Sequence, residues 1–401
     1  MATSQQTSIA KGSTRESIAG IKVIDVDTHL SEPYTLWTDR APANWKERVP
    51  QVKTVDNKRQ WVIDGKTVMG PVSAVSVVRP NGDKSRGIEF FAWKLEDVHA
   101  GSYDLKPRLE FMDSEGIWAQ ILYPNLLGFG GQRSATFDPE LRLMCTQIYN
   151  DAMAEFQEQS GGRLYGMALM PWWDVELAVK ETERCHKMGI KGINTNSSPQ
   201  DHGIPDLGQS YWNPLWEVCS DLGMPINFHI GNSTESMDFF GKSCWSSQSD
   251  DRKLALGSTM LFLHNAQVFA NIIYSGILER YPKLKFVSVE SGVGWMPFLL
   301  EALDYELDEA APKSKSLLSM KPSDYFRRQI YACFWFEQKG FRAALDAVGV
   351  DNIMFETDFP HPTCLYPNAL DHVAHTLEGL SFEDKRKLLS ANAARVYSIP
   401  V

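Results

Sequence analysis

From residue 21 almost to the C-terminus, short apolar runs alternate with longer stretches whose apolar residues recur every three or four positions. The short runs, at 22–27, 118–123, 164–170, 190–194, 225–230, 284–290, 329–335 and 352–356, have the length of strands. Most are apolar throughout rather than alternating, as parallel strands buried on both faces require. The stretches between them have the period of amphipathic helices. At 139–159, Leu141, Met144, Ile148, Ala152 and Phe156 fall near one face behind an Asp-Pro start signal. Further helices are expected at 104–115, at 175–188 behind Asp174 as N-cap, and at 211–222, 261–280, 295–307, 340–348 and 382–396. Eight strands, each followed by a helix, predict an α/β protein of the TIM (β/α)8 barrel class.

Long insertions follow strands one, four and five, at 31–103, 195–210 and 231–257. The first contains QVKTVDNKRQWVIDGKTV, whose Val, Thr, Trp and Ile content around a central Asp-Asn reads as a β-hairpin. Segments after barrel strands lie on the active-site face, so these insertions are expected to be lids or pocket walls. The expected organisation is a polar, disordered tail at 1–20 and one barrel at 21–401, with 31–103 inserted in it.

Composition narrows the function without altering the fold. Among 401 residues, 43% hydrophobic and 22% charged is a globular balance that excludes a disordered or fibrous chain. Forty basic against fifty acidic residues leave a net charge of −10, which argues against nucleic acid as a partner. No apolar run is long enough for a membrane span, and the N-terminus lacks the apolar core of a secretory signal. Six cysteines without a C-x-x-C pair fit reduced thiols in a cytoplasmic protein.

Chemistry concentrates where strands end. Asp27 and His29 close the first strand, and residues i and i+2 of a strand share a side, with Asp25 deeper on it. A carboxylate and an imidazole converging at a barrel mouth form half a metal site. His229 closes the fifth strand and Asp358 follows the eighth. Each has a plain structural explanation alone, but three strand ends offering metal-competent side chains to one face are better explained by one site. Glu290 follows the sixth strand, either as a functional acid or as a hydrogen-bond partner of Trp295 or a backbone amide. His361 lies three residues beyond Asp358; His264 sits in the helix before strand six and reads as a buried helix residue. Glu32 reads as a surface glutamate. Trp172, Trp173, Trp212, Trp245 and Trp295 follow strands and would wall the mouth for an aromatic or apolar substrate. Arg133 is a candidate partner for a substrate carboxylate.

The fragments VIDVDTH, FMDSEGIWAQILYPN, PINFHIG, SGILERYPKLKFVSVESGVGWMPFLLEALD and DNIMFETDFPHP resemble, in order and spacing, the metal-dependent amidohydrolase superfamily. The resemblance is to its branch of aminocarboxymuconate-semialdehyde and resorcylate-type decarboxylases, and covers nearly the whole barrel. It implies metal ligands at Asp27, His29, His229 and Asp358. Two departures stand out. The branch has a catalytic His where this chain has Glu290, and the fourth strand, ending GINTN, offers no Lys to be carboxylated between two ions.

The leading expectation is a hydrolase or decarboxylase of a small organic acid or amide, with Asp358, Glu290 and His361 as catalytic candidates. It would use one divalent ion, zinc, manganese or iron. As a hydrolase, Asp358 or Glu290 would take a proton from metal-bound water; as a decarboxylase, a neighbouring acid would protonate the carbon that loses CO2. The alternative is an oxygenase with two iron or manganese ions, the second held by Glu290, His361 and His264. A third reading is a catalytically silent barrel paired with a related subunit; a homo-oligomer is otherwise expected.

Overall fold

The computed structural model describes residues 15–401. Eight parallel strands form its centre: β1 (Val23–His29), β2 (Ile117–Tyr123), β3 (Leu164–Gly166, resuming at Ala168–Leu169), β4 (Ile193–Asn194), β5 (Ile226–His229), β6 (Phe286–Val289), β7 (Ile330–Phe334) and β8 (Ile353–Phe355). Neighbours in sequence are neighbours in space. In the middle of β3 the ladder carries over, because Met167 N donates to Leu122 O and Ala168 N to Gly192 O. The circle closes between β8 and β1: Asp358 N donates to Asp27 O at 2.9 Å and His29 N to Phe359 O at 2.8 Å. Closure leaves no sheet edge, and every C-terminal strand end points to one mouth. Inside, Ile24, Val26, Ile121, Tyr165, Val287, Cys333 and Met354 meet in one buried cluster.

The helices start where local chemistry dictates. Asp138 Oδ1 accepts from the amides of Glu140 and Leu141 ahead of helix Pro139–Gln159, and Asp174 Oδ1 accepts from Leu177 N ahead of Val175–Lys187. Three expectations need correction. The segment after β5 is mostly helical, with Thr234–Lys242 preceding a helix that begins at Asp250 and runs to Tyr274, well before the expected start. Polar residues at every exposed turn hide that helix from a search for apolar stripes. At the C-terminus the expected single helix is Phe382–Arg386, a π-helical stretch Lys387–Ala391, and Asn392–Tyr397. Of the expected tail, 1–14 lies outside the described residues, whereas Arg15–Ile18 forms a 3-10 turn whose Ile18 is buried in the main core.

The insertion after β1 contains the expected hairpin, Gln51–Val55 with Lys58–Ile63, plus a third antiparallel strand, Thr67–Pro71. Asp56 and Asn57 both take positive φ, 49° and 61°, the geometry of the two-residue turn that matches strand twist. The insertion docks on the barrel through Trp37, whose indole N–H donates to Cys145 O, and through Val77 N, which donates to Pro360 O in the loop after β8. Among the described residues no helix is long and apolar enough to cross a membrane.

Candidate metal centre

The strand ends bring Asp27, His29, His229, Glu290, Asp358 and His361 into one buried cluster. His29 Nε2 lies 3.6 Å from both Asp27 Oδ1 and Asp358 Oδ1, and 3.1 Å from His229 Nε2. His229 Nε2 is 3.5 Å from Asp27 Oδ1 and 3.2 Å from Glu290 Oε2. His361 stacks on His29 with ring centroids 3.6 Å apart and sets its Nδ1 3.2 Å from Asp358 Oδ1.

Two histidine tautomers follow from the hydrogen bonds. His229 Nδ1 is 2.7 Å from Ile230 O, a pure acceptor, so Nδ1 carries the proton and Nε2 turns a lone pair into the cluster. Asn125 Nδ2 donates to Leu30 O, which leaves its Oδ1 to accept from His361 Nε2 at 2.8 Å. His361 Nδ1 therefore also offers a lone pair, directly at a carboxylate oxygen. Lone pairs this close repel unless a proton or a metal cation lies between them. Both Asp27 oxygens and Asp358 Oδ1 are buried without a hydrogen-bond partner. Deprotonated imidazole nitrogens fixed by outer hydrogen bonds, with orphaned carboxylate oxygens, fit a divalent metal ion.

Ligand atoms of Asp27, His29, His229 and Glu290 lie within 4.8 Å of one another, and so do those of His29, Glu290, Asp358 and His361. His264 belongs to neither group. It is a buried residue of helix Asp250–Tyr274, against Phe239. That removes it from the second site expected above.

Electrostatics follow from burial. Burial, then the charges of Asp358 and Asp27, hold the Glu290 carboxyl well above the usual carboxylate range. Burial likewise raises Asp27 against the pull of His229, and raises Glu356 well above its usual range. His29 is pushed well below the usual histidine range by burial and then by His361 and His229, so it is neutral and free to ligate. A divalent cation in the cluster would draw the carboxylates back toward ionisation. Glu290 and Asp358 also take left-handed backbone conformations, φ 54° and 60°, which cost a residue with a Cβ of order 1–3 kcal/mol. Such strain persists where surroundings over-determine a residue, and both lie in the cluster.

Other expectations resolve differently. Trp295 donates to Ser291, not to Glu290. Asp25 does not join the cluster; a register irregularity after it lets its carboxylate take Thr357 N and Oγ1 and Gln120 Nε2, and burial pushes it up to about 7. Glu32 is buried, not on the surface, and accepts from Asn125 N and Leu126 N at 2.8 Å each. It thereby fixes the loop whose Asn125 orients His361. The aromatic wall comes from Phe129 and Tyr123, whose ring centroids stand 4.3 and 5.1 Å from that of His229. Trp212 and Trp295 are buried in the main core, Trp172 is buried against Gly131 of the loop after β2, Trp173 packs against Trp172, and Trp245 is 79% exposed. Arg133 donates to Met69 O in the inserted sheet. Glu356, whose Oε2 accepts from Glu290 N, escaped the sequence reading; its place two residues before Asp358 on the same strand end was the available signal.

The amidohydrolase family model matches residues 24–399. The chain belongs to that family. It is thus a metal-dependent enzyme of the amidohydrolase superfamily, as the strand-end motifs implied. A gamma-resorcylate decarboxylase of Polaromonas sp. (strain JS666 / ATCC BAA-500) is 28% identical over 304 residues, 73% of this chain and 86% of the relative. Among solved structures, an amidohydrolase from Mycobacterium avium subsp. paratuberculosis K-10 superposes with a TM-score of 0.73 at 22% identity, covering 94% of this chain and 99% of that one. A dihydroxybenzoic acid decarboxylase from Polaromonas sp. JS666, with bound manganese and the inhibitor 2-nitroresorcinol, gives 0.61 at 20% identity, covering 94% and 97%. Both are barrels of the same fold.

Proposed function

We propose that this chain is a divalent-metal-dependent carboxy-lyase that removes CO2 from a small hydroxylated aromatic acid. The observation that carries the reading is the closed, aromatic-walled cluster: every candidate ligand is buried, and Phe129 and Tyr123 pack on the histidines. Hydrolysis needs a place for water at the reacting bond, whereas loss of CO2 needs only a held substrate and one proton. The similarity to a resorcylate decarboxylase supports the same choice.

Asp27, His29, His229 and Asp358 would hold the ion. Bound there, the metal would orient the substrate's oxygens and stabilise the charge that develops on them. Glu290 replaces the expected sixth-strand His and stands against His229, where it would hold the proton that takes the place of CO2 on the ring. Phe129 and Tyr123 would stack on the aromatic body and keep water out. The test is to load the protein with Mn2+, incubate it with 2,6-dihydroxybenzoate, and follow resorcinol and CO2. Turnover that stops on chelation is expected. Inactivity toward hydroxybenzoates together with hydrolysis of amides or lactones would replace this reading with the hydrolase.

One observation favours a second reading. The two four-residue groups overlap, sharing His29 and Glu290, so these residues could hold two ions, the second with Glu290, Asp358 and His361 among its ligands. This is the two-ion oxygenase. Elemental analysis separates the cases: one ion per chain, unchanged by His361→Ala, fits the carboxy-lyase. Two ions of iron or manganese, falling to one in His361→Ala, with turnover that needs dioxygen, fits the oxygenase. A complete ligand cluster leaves a catalytically silent barrel without support.

A further inference from the structure

Glu290 sits in a backbone conformation that its neighbours must enforce. Its φ of 54° opens the segment Glu290-Ser291-Gly292-Val293-Gly294, which lies beyond β6 and ahead of helix Met296–Glu309. A residue with a Cβ stays there only where the surroundings over-determine it. On the N-terminal side the anchors are near: Glu290 N donates to Glu356 Oε2 at 3.2 Å, and Val289 O accepts from Ile230 N at 3.2 Å. On the C-terminal side the anchor comes from another strand end. It is Glu337, three residues past β7.

Glu337 Oε1 accepts from Val293 N and from Gly294 N, each at 2.8 Å. Its carboxyl group lies directly against the chain. A Cβ on Gly292 would come 2.6 Å from Oε1 and 3.0 Å from Oε2, so glycine is what admits the acid there. The two loops also meet through their backbones, since a Cβ on Gly340 would lie 3.0 Å from Gly294 Cα. Glu337 is itself held in place. Two residues before it, Trp335 is fully buried with its ring edge-on to Phe262 at 5.3 Å, and helix Lys339–Val348 begins two residues after it. Glu337 belongs to neither group of candidate metal ligands.

We infer that Glu337 is a positioning residue: by holding the amides of Val293 and Gly294 it keeps Glu290 against His229 and so sets the rate at which Glu290 transfers its proton. The inference rests on the role given to Glu290 in the carboxy-lyase reading. Glu337 acts as an acceptor placed at the right reach, not as a charge. Burial raises its carboxyl above the usual carboxylate range, so a neutral amide of the same length is a close stand-in. Glutamine keeps the accepting oxygen where it is. Aspartate keeps the acid but falls one methylene short of both amides.

The test compares kcat, KM and bound Mn2+ for the metal-loaded parent, Glu337→Gln, Glu337→Asp and Glu337→Ala with 2,6-dihydroxybenzoate. The Ala and Asp variants should lose roughly 10²-fold in kcat, as a displacement of about 1 Å near reacting groups can cost, at the parent's KM and metal content. The Gln variant should stay within a few fold of the parent. In a Glu290→Gln background, Glu337→Ala should cost little more, because a residue that acts through Glu290 then has nothing left to position. An equal loss in both backgrounds would overturn the inference, and so would an Asp variant as active as the parent beside an inactive Gln variant. Hydrogen exchange gives a readout that needs no turnover. The amides of 291–294 should exchange roughly tenfold faster in Glu337→Ala than in the parent or Glu337→Gln, as loss of two hydrogen bonds predicts; unchanged exchange would also overturn it. If exchange behaves as described but no hydroxybenzoate is decarboxylated, the carboxy-lyase reading fails and the hold on the loop stands, and the same kinetic comparison then decides the positioning role on the amide or lactone that the protein hydrolyses.

Discussion

His229 shows how much a single side chain is asked to do at the mouth of this barrel. Its ring is fixed from outside by Ile230 O, and its inner nitrogen meets Asp27, Glu290 and His29. His229→Ala should therefore lose the bound ion and all measurable turnover while the far-ultraviolet circular dichroism stays that of the parent; retention of the parent's metal content would show that the ligands are elsewhere. Glu290→Gln keeps the shape of the side chain and removes its ability to give up a proton. A fall in kcat of roughly 10²-fold or more, with metal content unchanged, is expected for a proton-transferring group. Turnover within a few fold of the parent would reduce Glu290 to a spacer. These residues were legible because each stands at the end of an apolar run, where a polar side chain is conspicuous. Asn125, Phe129 and Glu32 were not, because their importance comes from what they touch. Nothing in YPNLLGFGG marks an amide that orients His361 or a ring that covers the cluster.

At the scale of elements, the eight strands could be read because burial on both faces removes polar residues from them. The helix from Asp250 to Tyr274 was half missed because its first turns are only half-buried, with Leu254 at the edge of a core and Gly257 the only fully buried residue before Leu261, so no apolar stripe marks them. The loop after β2 is the element that most directly serves the site. Phe129 O accepts from Asn194 Nδ2, and Gln132 Nε2 donates to Gly231 O at 2.6 Å, so the loop is tied to the ends of β4 and β5. Gly130 is what lets it come so close: a Cβ there would lie 2.2 Å from Asn232 O and 2.9 Å from Thr195 O, both backbone atoms that cannot swing away. Gly130→Ala should lift Phe129 off the histidines. A displacement of about 1 Å near reacting groups can cost on the order of 10²-fold in rate, so a large loss of kcat with normal metal content is expected. An Ala variant as active as the parent would mean that the aromatic cover contributes nothing to catalysis.

For the whole molecule, the unusual feature is the concentration of acid in a closed barrel. Asp27, Glu290, Glu356 and Asp358 are all buried around the mouth, while the buried Arg108 is spent on Gln120 Oε1 and the carbonyls of Gly101 and His29. Buried carboxylates without cationic partners destabilise a fold unless they are protonated or neutralised by a metal. Three of these acids, Asp27, Glu356 and Asp358, sit at the seam between β8 and β1, where Asp358 N and His29 N make the hydrogen bonds that close the circle. Metal binding and barrel closure should therefore be thermodynamically coupled. An ion that binds only the folded state, supplied at about 100 times its Kd, adds roughly 2.7 kcal/mol; for a chain of this length that is a rise in Tm of about 3 °C. Differential scanning calorimetry of the chelated protein with and without Mn2+ measures this directly. The rise should shrink toward zero in Asp27→Asn and Asp358→Asn, while the chelated forms of both variants melt at or above the chelated parent because a buried charge has been removed. Chelated variants that melt well below the chelated parent would show instead that these carboxylates hold the seam together by themselves, and that the ion is a passenger in a fold already closed.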